Sequence, residues 1–91
     1  MTYYTYIITN YKNTVLYTGM TNNLQQRVLQ HKKGINDSFS RKYRLYKLVW
    51  FQEFEDVNEA ISAEKRIKGW KRSKKMALIR ELNPGFRDLM S

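Results

Sequence analysis

A chain of 91 residues is too short for two independent hydrophobic cores, so we expect one domain spanning residues 1–91. The absence of cysteine excludes disulfide bonds and thiolate metal sites, and no apolar run approaches the roughly 18 residues of a membrane span. The N-terminus lacks the basic-then-apolar order of a signal peptide, which predicts a cytoplasmic protein without a membrane partner.

Positive charge dominates the composition and is unevenly distributed. The net charge is +9, and up to Gln52 a single acid, Asp37, stands against eight bases. The segment 65–75 contains seven bases and no acid. This imbalance favours a polyanionic partner such as nucleic acid, because it raises the electrostatic potential at the protein surface, which attracts phosphate groups. A basic surface that only keeps the protein in solution is the alternative.

Two β-prone runs open the chain. Tyr3–Ile8 and Val15–Thr18 are separated by a segment with two turn-forming asparagines, which predicts a hairpin. The hairpin would place Tyr6 beside the strand of Tyr17. After the second run, Gly19 allows a backbone conformation or a close approach that other residues cannot make.

A polar helix follows, with N-cap oxygens available from Thr21–Asn23. Its apolar stripe consists of Leu24, Val28 and Ile35. His31 lies in the middle of that stripe and Arg27 on its margin, one turn apart, so the two side chains can converge. A satisfied core histidine and a snorkelling arginine are the simpler explanations. Lys33-Gly34 predicts the end of the helix.

Residues Ile35–Lys42 are then predicted to be a loop, in which Arg41 and Lys42 reach phosphate groups or are simply solvated. The segment Arg44–Glu55 is the clearest strand, because it is rich in β-branched and aromatic residues. Large apolar groups on both of its faces predict the middle of a small sheet. We assign its aromatic rings to the core; a base-stacking platform is the alternative.

The next helix begins at a capping-box sequence, Asp56–Glu59, and extends to about Trp70. Its buried stripe consists of Val57, Ala60, Ile61 and Ile67. Glu64 lies near the middle of this stripe, where an unpaired carboxylate costs on the order of several kcal/mol. Periodicity alone favours an ion pair with Lys68, and a hard divalent cation such as Mg²⁺ is the alternative.

A last helix is predicted from Ser73, which can act as its N-cap, to Asn83-Pro84-Gly85, which ends it. A helix-stop role therefore explains Asn83. The segment Phe86–Met90 is predicted to form a closing turn that packs Phe86 and Leu89 on the core.

Several of these residues, in this order, resemble the core of the GIY-YIG nuclease domain family. The motifs are Tyr6-x-Ile8, then Tyr17-Thr18-Gly19, then Arg27 and, four residues on, His31. Where the family name has Gly-Ile-Tyr, this chain has Tyr4-Thr5-Tyr6, so the phenol is present and the glycine is missing.

The resemblance covers nearly the whole chain and is to the small stand-alone members of the family. The segment 63–68 resembles the family's glutamate helix, with Glu64 at the metal-ligand position. The basic, aromatic segment around Lys68, Trp70 and Lys71 and the Asn-Pro ending at Asn83 also resemble those members.

The predicted elements and the resemblance give a small α+β fold, a three-stranded, mostly antiparallel sheet flanked by helices in the order β-β-α-β-α-α. The resemblance implies a metal-dependent endonuclease that hydrolyses DNA phosphodiester bonds, structure-selective in DNA repair or recombination, with one divalent cation, Mg²⁺ or Mn²⁺, on Glu64. The implied catalytic residues are Tyr6, Tyr17, Arg27 and His31. The nucleic-acid-binding or supporting residues are Gly19, Arg41, Lys42, Lys68, Lys71 and Asn83.

The resemblance places Arg27 at the scissile phosphate and leaves the general base open among Tyr6, Tyr17 and His31. A non-catalytic nucleic-acid-binding module and an RNA-binding protein with exposed aromatic rings are the competing interpretations. The substrate is also open, since such a short chain carries no separate targeting domain. Weak specificity, selectivity for branched or flapped DNA, and dependence on an unidentified protein partner are the alternatives.

Overall fold

The computed structural model describes residues 1–34 and 38–90, and within them the chain forms three strands and four helices. The strands are β1 (Tyr3–Asn10), β2 (Leu16–Thr21) and β3 (Leu45–Phe54). The helices are α1 (Leu24–Lys33), α2 (Ser38–Tyr43), α3 (Val57–Lys68) and α4 (Arg72–Leu82). The predicted α+β fold and the order β-β-α-β-α-α are confirmed, with the short helix α2 added between α1 and β3.

All neighbouring strands are antiparallel, in the order β2-β1-β3. The predicted hairpin pairs Tyr6 with Gly19 and Ile8 with Tyr17. The prediction that the third strand lies in the middle is wrong, because β1 occupies that place. Strand β3 carries apolar residues on both faces although it is an edge strand, since helices cover both faces of the sheet.

Alternate residues of β1 point to opposite sides of the sheet and pack against different helices. Tyr6 and Ile8 belong to a buried cluster with Val28 of α1. Ile7 belongs to a second cluster with Ile67 of α3 and Ile79 of α4. Helix α1 therefore covers one face of the sheet, and α3 and α4 cover the other.

The ends of α1 and the start of α3 follow the predicted signals. The side chain of Asn23 accepts a hydrogen bond from the backbone N–H of Gln26 at 3.1 Å. Gly34, with φ of 67°, adopts the left-handed conformation at the end of α1. At α3, the carboxylate of Asp56 accepts from the N–H of Asn58 at 2.8 Å.

Helix α4 begins differently from the prediction. Lys71 occupies the N-cap position without a side-chain capping bond, and the predicted cap, Ser73, lies inside the first turn. The guanidinium of Arg72 instead donates to the carbonyl oxygens of Asn13 and Thr14, at 2.5 and 3.0 Å. Contact with the β1–β2 turn therefore fixes the start of this helix, which a local capping signal cannot reveal.

Two further predictions need correction. Ile35, Asn36 and Asp37 lie outside the described residues, and the rest of the predicted loop, residues 38–42, lies within helix α2. At the C-terminal end, Phe86 is buried as predicted, whereas the side chain of Leu89 is 39% exposed. The backbone N–H of Leu89 donates to the carbonyl of Leu48 instead, so this segment is held partly by its main chain.

Candidate active site

The four residues predicted to be catalytic lie together on the face of the sheet that α1 covers. The hydroxyl of Tyr6 is 2.8 Å from Nε2 of His31. The ring centroids of Tyr6 and Tyr17 are 6.4 Å apart, and those of Tyr17 and His31 are 5.0 Å apart. Helix α1 brings His31, on its buried face, and Arg27, on the margin of that face, to the two tyrosines because the hairpin leads directly into the helix.

Arg27 completes this cluster through the two phenols. Its guanidinium interacts electrostatically with the phenols of Tyr6 and Tyr17, and Nη1 donates to Oε1 of Gln30 at 3.3 Å. Burial opposes the charged form, but the interactions with Tyr6 and Tyr17 outweigh it and raise the pKa of Arg27 above its ordinary value. Arg27 therefore presents a fixed positive charge beside both phenols.

Gly19 is required by the close approach of the Tyr6 ring. A Cβ atom at Gly19 would lie 2.5 Å from the hydroxyl oxygen of Tyr6 and 2.6 Å from its Cζ. Tyr6 is 1% exposed, so its ring is enclosed by neighbours. Of the two roles that the sequence leaves open for Gly19, close approach is the one that this geometry requires.

Ser40 is part of the cluster and was missed by the sequence analysis. Its Oγ is hydrogen-bonded to Nδ1 of His31, and both side chains are 1% exposed. The imidazole is thus held at both ring nitrogens, by Tyr6 on one side and Ser40 on the other. No local pattern marks Ser40, because the contact depends on how α2 packs against α1.

Glu64 lies on α3. This helix packs against the other face of the sheet, where the helix contacts β1 and β2. The Glu64 side chain is 21% exposed, and its Oε2 is 3.3 Å from Nζ of Lys68. The ion pair that periodicity favours is therefore present. The structure does not place Glu64 among the contacts of the Tyr6–His31 cluster in the part of the chain that it describes.

A metal ion at Glu64 would have few protein ligands. Within residues 1–34 and 38–90, no group of three or more His, Cys, Asp and Glu side chains could hold one. Mg²⁺ commonly binds one or two carboxylates and completes its coordination with water and substrate phosphate. The partly exposed carboxylate of Glu64 fits a cation held in that way, and its partner Lys68 is 52% exposed and can move aside.

The predicted supporting residues are not all near the cluster. Asn83, 6% exposed, donates to the carbonyls of Val49 and Arg87 at 3.1 and 2.7 Å and accepts from the N–H of Arg87 at 3.0 Å. Its role here is to end α4 and fasten the following turn. The remaining basic residues are exposed: Arg41 and Lys42 on α2, Lys68 at the end of α3, and Lys71 before α4.

Residues 2–77 match the family model described as the GIY-YIG catalytic domain, so the chain belongs to this family of nucleases. It is 42% identical to a UPF0213 protein of Clostridium perfringens over 76 residues, 84% of this chain and 81% of that protein. A UPF0213 protein of Haloquadratum walsbyi is 34% identical over 79 residues, 87% and 88% of the two chains.

The fold is also similar to a solved structure. The solution NMR structure of a UPF0213 protein from Bacillus halodurans has a TM-score of 0.61 to this chain, at 26% identity, and the match covers 97% of this chain and 93% of that one. Membership in a nuclease family implies a nucleic-acid substrate, and GIY-YIG nucleases generally use a divalent metal. None of the described helices combines the length and apolar character needed to cross a membrane.

Proposed function

We propose that residues 1–91 form one domain, a divalent-metal-dependent endonuclease that hydrolyses DNA phosphodiester bonds. The observation that carries this proposal is the cluster of Tyr6, Tyr17, Arg27 and His31, in which the Tyr6 hydroxyl is 2.8 Å from Nε2 of His31 and the Arg27 charge interacts with both phenols. Phosphodiester hydrolysis needs a group that takes a proton from water and a positive charge at the phosphate. This group offers both within one small cluster, in which Tyr17 and Arg27 are half-buried and the other two residues are buried.

Arg27 is the residue for the phosphate. Its raised pKa keeps the guanidinium charged, and its planar donors suit phosphate oxygens. The same charge stabilises a phenolate on Tyr17 or on Tyr6. Tyr17 is half-buried, so its phenolate would take a proton from an attacking water or position it, whereas Tyr6 is 1% exposed and acts behind it.

His31 acts through Tyr6 in this proposal. Both of its ring nitrogens are already hydrogen-bonded, and the side chain is 1% exposed, so it does not meet water directly. It can accept the Tyr6 proton at Nε2 while Ser40 holds Nδ1. Glu64 would hold a divalent cation, which would supply positive charge to the phosphates of the bound substrate.

The test is cleavage of a labelled panel of linear, flapped, four-way and single-stranded DNA with Mg²⁺ or Mn²⁺. Wild type is compared with Glu64→Gln and with Glu59→Gln, an exposed glutamate on the same helix. We expect cleavage by wild type and Glu59→Gln and none by a folded Glu64→Gln protein. Wild-type rates in Glu64→Gln would contradict the metal assignment.

A non-catalytic nucleic-acid-binding module is the second candidate. The observation in its favour is the Glu64–Lys68 ion pair, which satisfies the carboxylate without a metal. If wild type binds the panel and cuts none of it under any metal condition, this interpretation replaces the nuclease. A structure-selective role in repair or recombination follows only if the flapped or four-way substrates are cut fastest.

A further inference from the structure

Helix α2 exposes two aromatic rings one helical turn apart. Phe39 is 41% exposed and Tyr43 is 37% exposed, and their ring centroids are 4.6 Å apart. The Phe39 ring also lies 5.9 Å from that of Tyr17. Tyr43, Phe39 and Tyr17 thus form a continuous aromatic row that leads from the protein surface to the candidate active site.

The charge around this aromatic row is positive. Arg41 and Lys42 lie on the same helix and are exposed, and the sequence of α2, SFSRKY, contains no acid. Nζ of Lys42 lies 5.4 Å from the centroid of the Tyr43 ring. Exposed rings beside cations are the combination with which proteins hold unpaired nucleotides, since bases stack on the rings while the cations follow the phosphates.

The exposed rings of the row favour nucleic acid with unpaired bases over an intact duplex. Bases in an intact duplex are stacked on one another and paired, so their faces are not available to a side-chain ring. Unpaired bases offer both faces, and stacking on aromatic rings tolerates any base. Because the row ends at Tyr17, a nucleotide stacked on Phe39 would lie next to the phosphate that Arg27 faces.

We propose that the aromatic row of α2 binds unpaired bases of single-stranded DNA beside the scissile phosphate, which selects substrates with unpaired nucleotides at that point. This inference rests on the proposed nuclease function, which makes the cluster beside the aromatic row a cleavage site. The binding itself does not require cleavage, so the two proposals can be tested separately.

The experiment measures binding of a labelled oligothymidylate and of a perfect duplex by fluorescence anisotropy, with divalent metals chelated. The variants are Tyr43→Leu, Phe39→Leu and the double variant, which keep apolar volume and remove the rings. Tyr11→Leu is the matched control, since Tyr11 is an 81% exposed aromatic residue in the β1–β2 turn. We expect the double variant to lose at least about tenfold in affinity for the single strand. Duplex affinity and the control variant should match wild type.

Unchanged single-strand affinity in the folded double variant would overturn the proposal, and so would an equal loss for the duplex. If the double variant does not fold, Tyr43→Trp provides a second measurement, because it keeps a ring at this position. Its indole fluorescence should be quenched by oligothymidylate beyond the change seen in wild type, and no additional quenching would overturn the proposal. A wild-type protein that binds through the row and cuts nothing would support this inference while contradicting the nuclease function.

Discussion

Gly19 and Tyr6 face each other across β2 and β1 with no room for a methyl group between them. The aromatic ring fills the space above the glycine, and its hydroxyl reaches His31 from there. The position of the phenol, and with it the hydrogen bond to His31 and the interaction with Arg27, therefore depends on a residue that carries no functional group.

We predict that Gly19→Ala destabilises the protein and impairs cleavage together. The added methyl group would force the Tyr6 ring to shift within a packed environment, and such overpacking typically costs about 1–3 kcal/mol. Urea unfolding and cleavage rates measure the two effects. Gly69→Ala is the control, because its Cβ would approach nothing closer than 3.6 Å. A Gly19→Ala protein with wild-type stability would show that the ring can move freely.

We predict that Arg27→Ala lowers the turnover number by at least about a hundredfold, the scale of losing one preorganised donor to a developing charge. Single-turnover cleavage and DNA binding should be measured in parallel. Arg87→Ala serves as the control, since Arg87 is an exposed arginine on the C-terminal segment. If Arg27→Ala only weakens DNA binding and leaves turnover intact, Arg27 positions the substrate and does not stabilise the transition state.

Ser40→Ala should alter the protonation behaviour of His31 without unfolding the protein. Loss of the Oγ partner at Nδ1 frees the ring to change tautomer, which would weaken its acceptance of a proton from Tyr6 at Nε2. We expect a slower reaction with a displaced pH–rate profile, and a changed tautomer signal in ¹⁵N NMR spectra of the imidazole. Ser40→Thr retains the hydroxyl and should restore both. A merely structural role for Ser40 would lower stability and leave the profile and the tautomer unchanged.

We predict that the folded protein becomes less stable in acid because the Asp88 carboxylate is protonated there. Burial alone would raise the pKa of Asp88, but the Lys32 ammonium group and the backbone N–H groups of Met90 and Leu48 hold it below its ordinary value. A carboxyl group with a lowered pKa in the folded state stabilises that state fully above about pH 4. This contribution is lost as the pH falls through the lower folded value.

Thermal unfolding of wild type and Asp88→Asn between neutral and acidic pH measures this effect. The variant should be less stable than wild type at neutral pH, and the difference should shrink in acid. Asp56→Asn is measured alongside, because asparagine caps a helix about as well as aspartate. A stability difference that is independent of pH would contradict the assignment to the ionised carboxylate.

The parts of the fold that could be predicted from the sequence are those fixed by local chemistry. The hairpin, the cap at Asn23 and the stop at Gly34 depend on neighbouring residues, and the one-turn spacing of Arg27 and His31 follows from helix geometry. Helix α2 and the edge position of β3 depend on contacts between distant segments. The capping role predicted for Ser73 failed for the same reason, because Arg72 bonds to the β1–β2 turn.

The same distinction between local chemistry and contacts between segments applies to the candidate site. The tyrosines, Arg27 and His31 stand in an ordered motif, so their convergence could be anticipated. Ser40 and Phe39 carry no such signal, since their contacts with His31 and Tyr17 arise from the packing of α2. For Glu64, periodicity predicted the bond to Lys68 that the structure contains.

The family match covers a shorter part of the chain than the part that builds the folded core. The family match ends at residue 77, yet Ile79 and Phe86 belong to a buried core, and Asp88 ties α1 to β3 through Lys32 and the N–H of Leu48. A protein truncated after residue 77 would expose buried core residues. It would also lose the Asp88 contacts that hold α1, the helix that carries Arg27, to β3. Grafting this candidate site onto another scaffold would therefore require residues 78–91 as well.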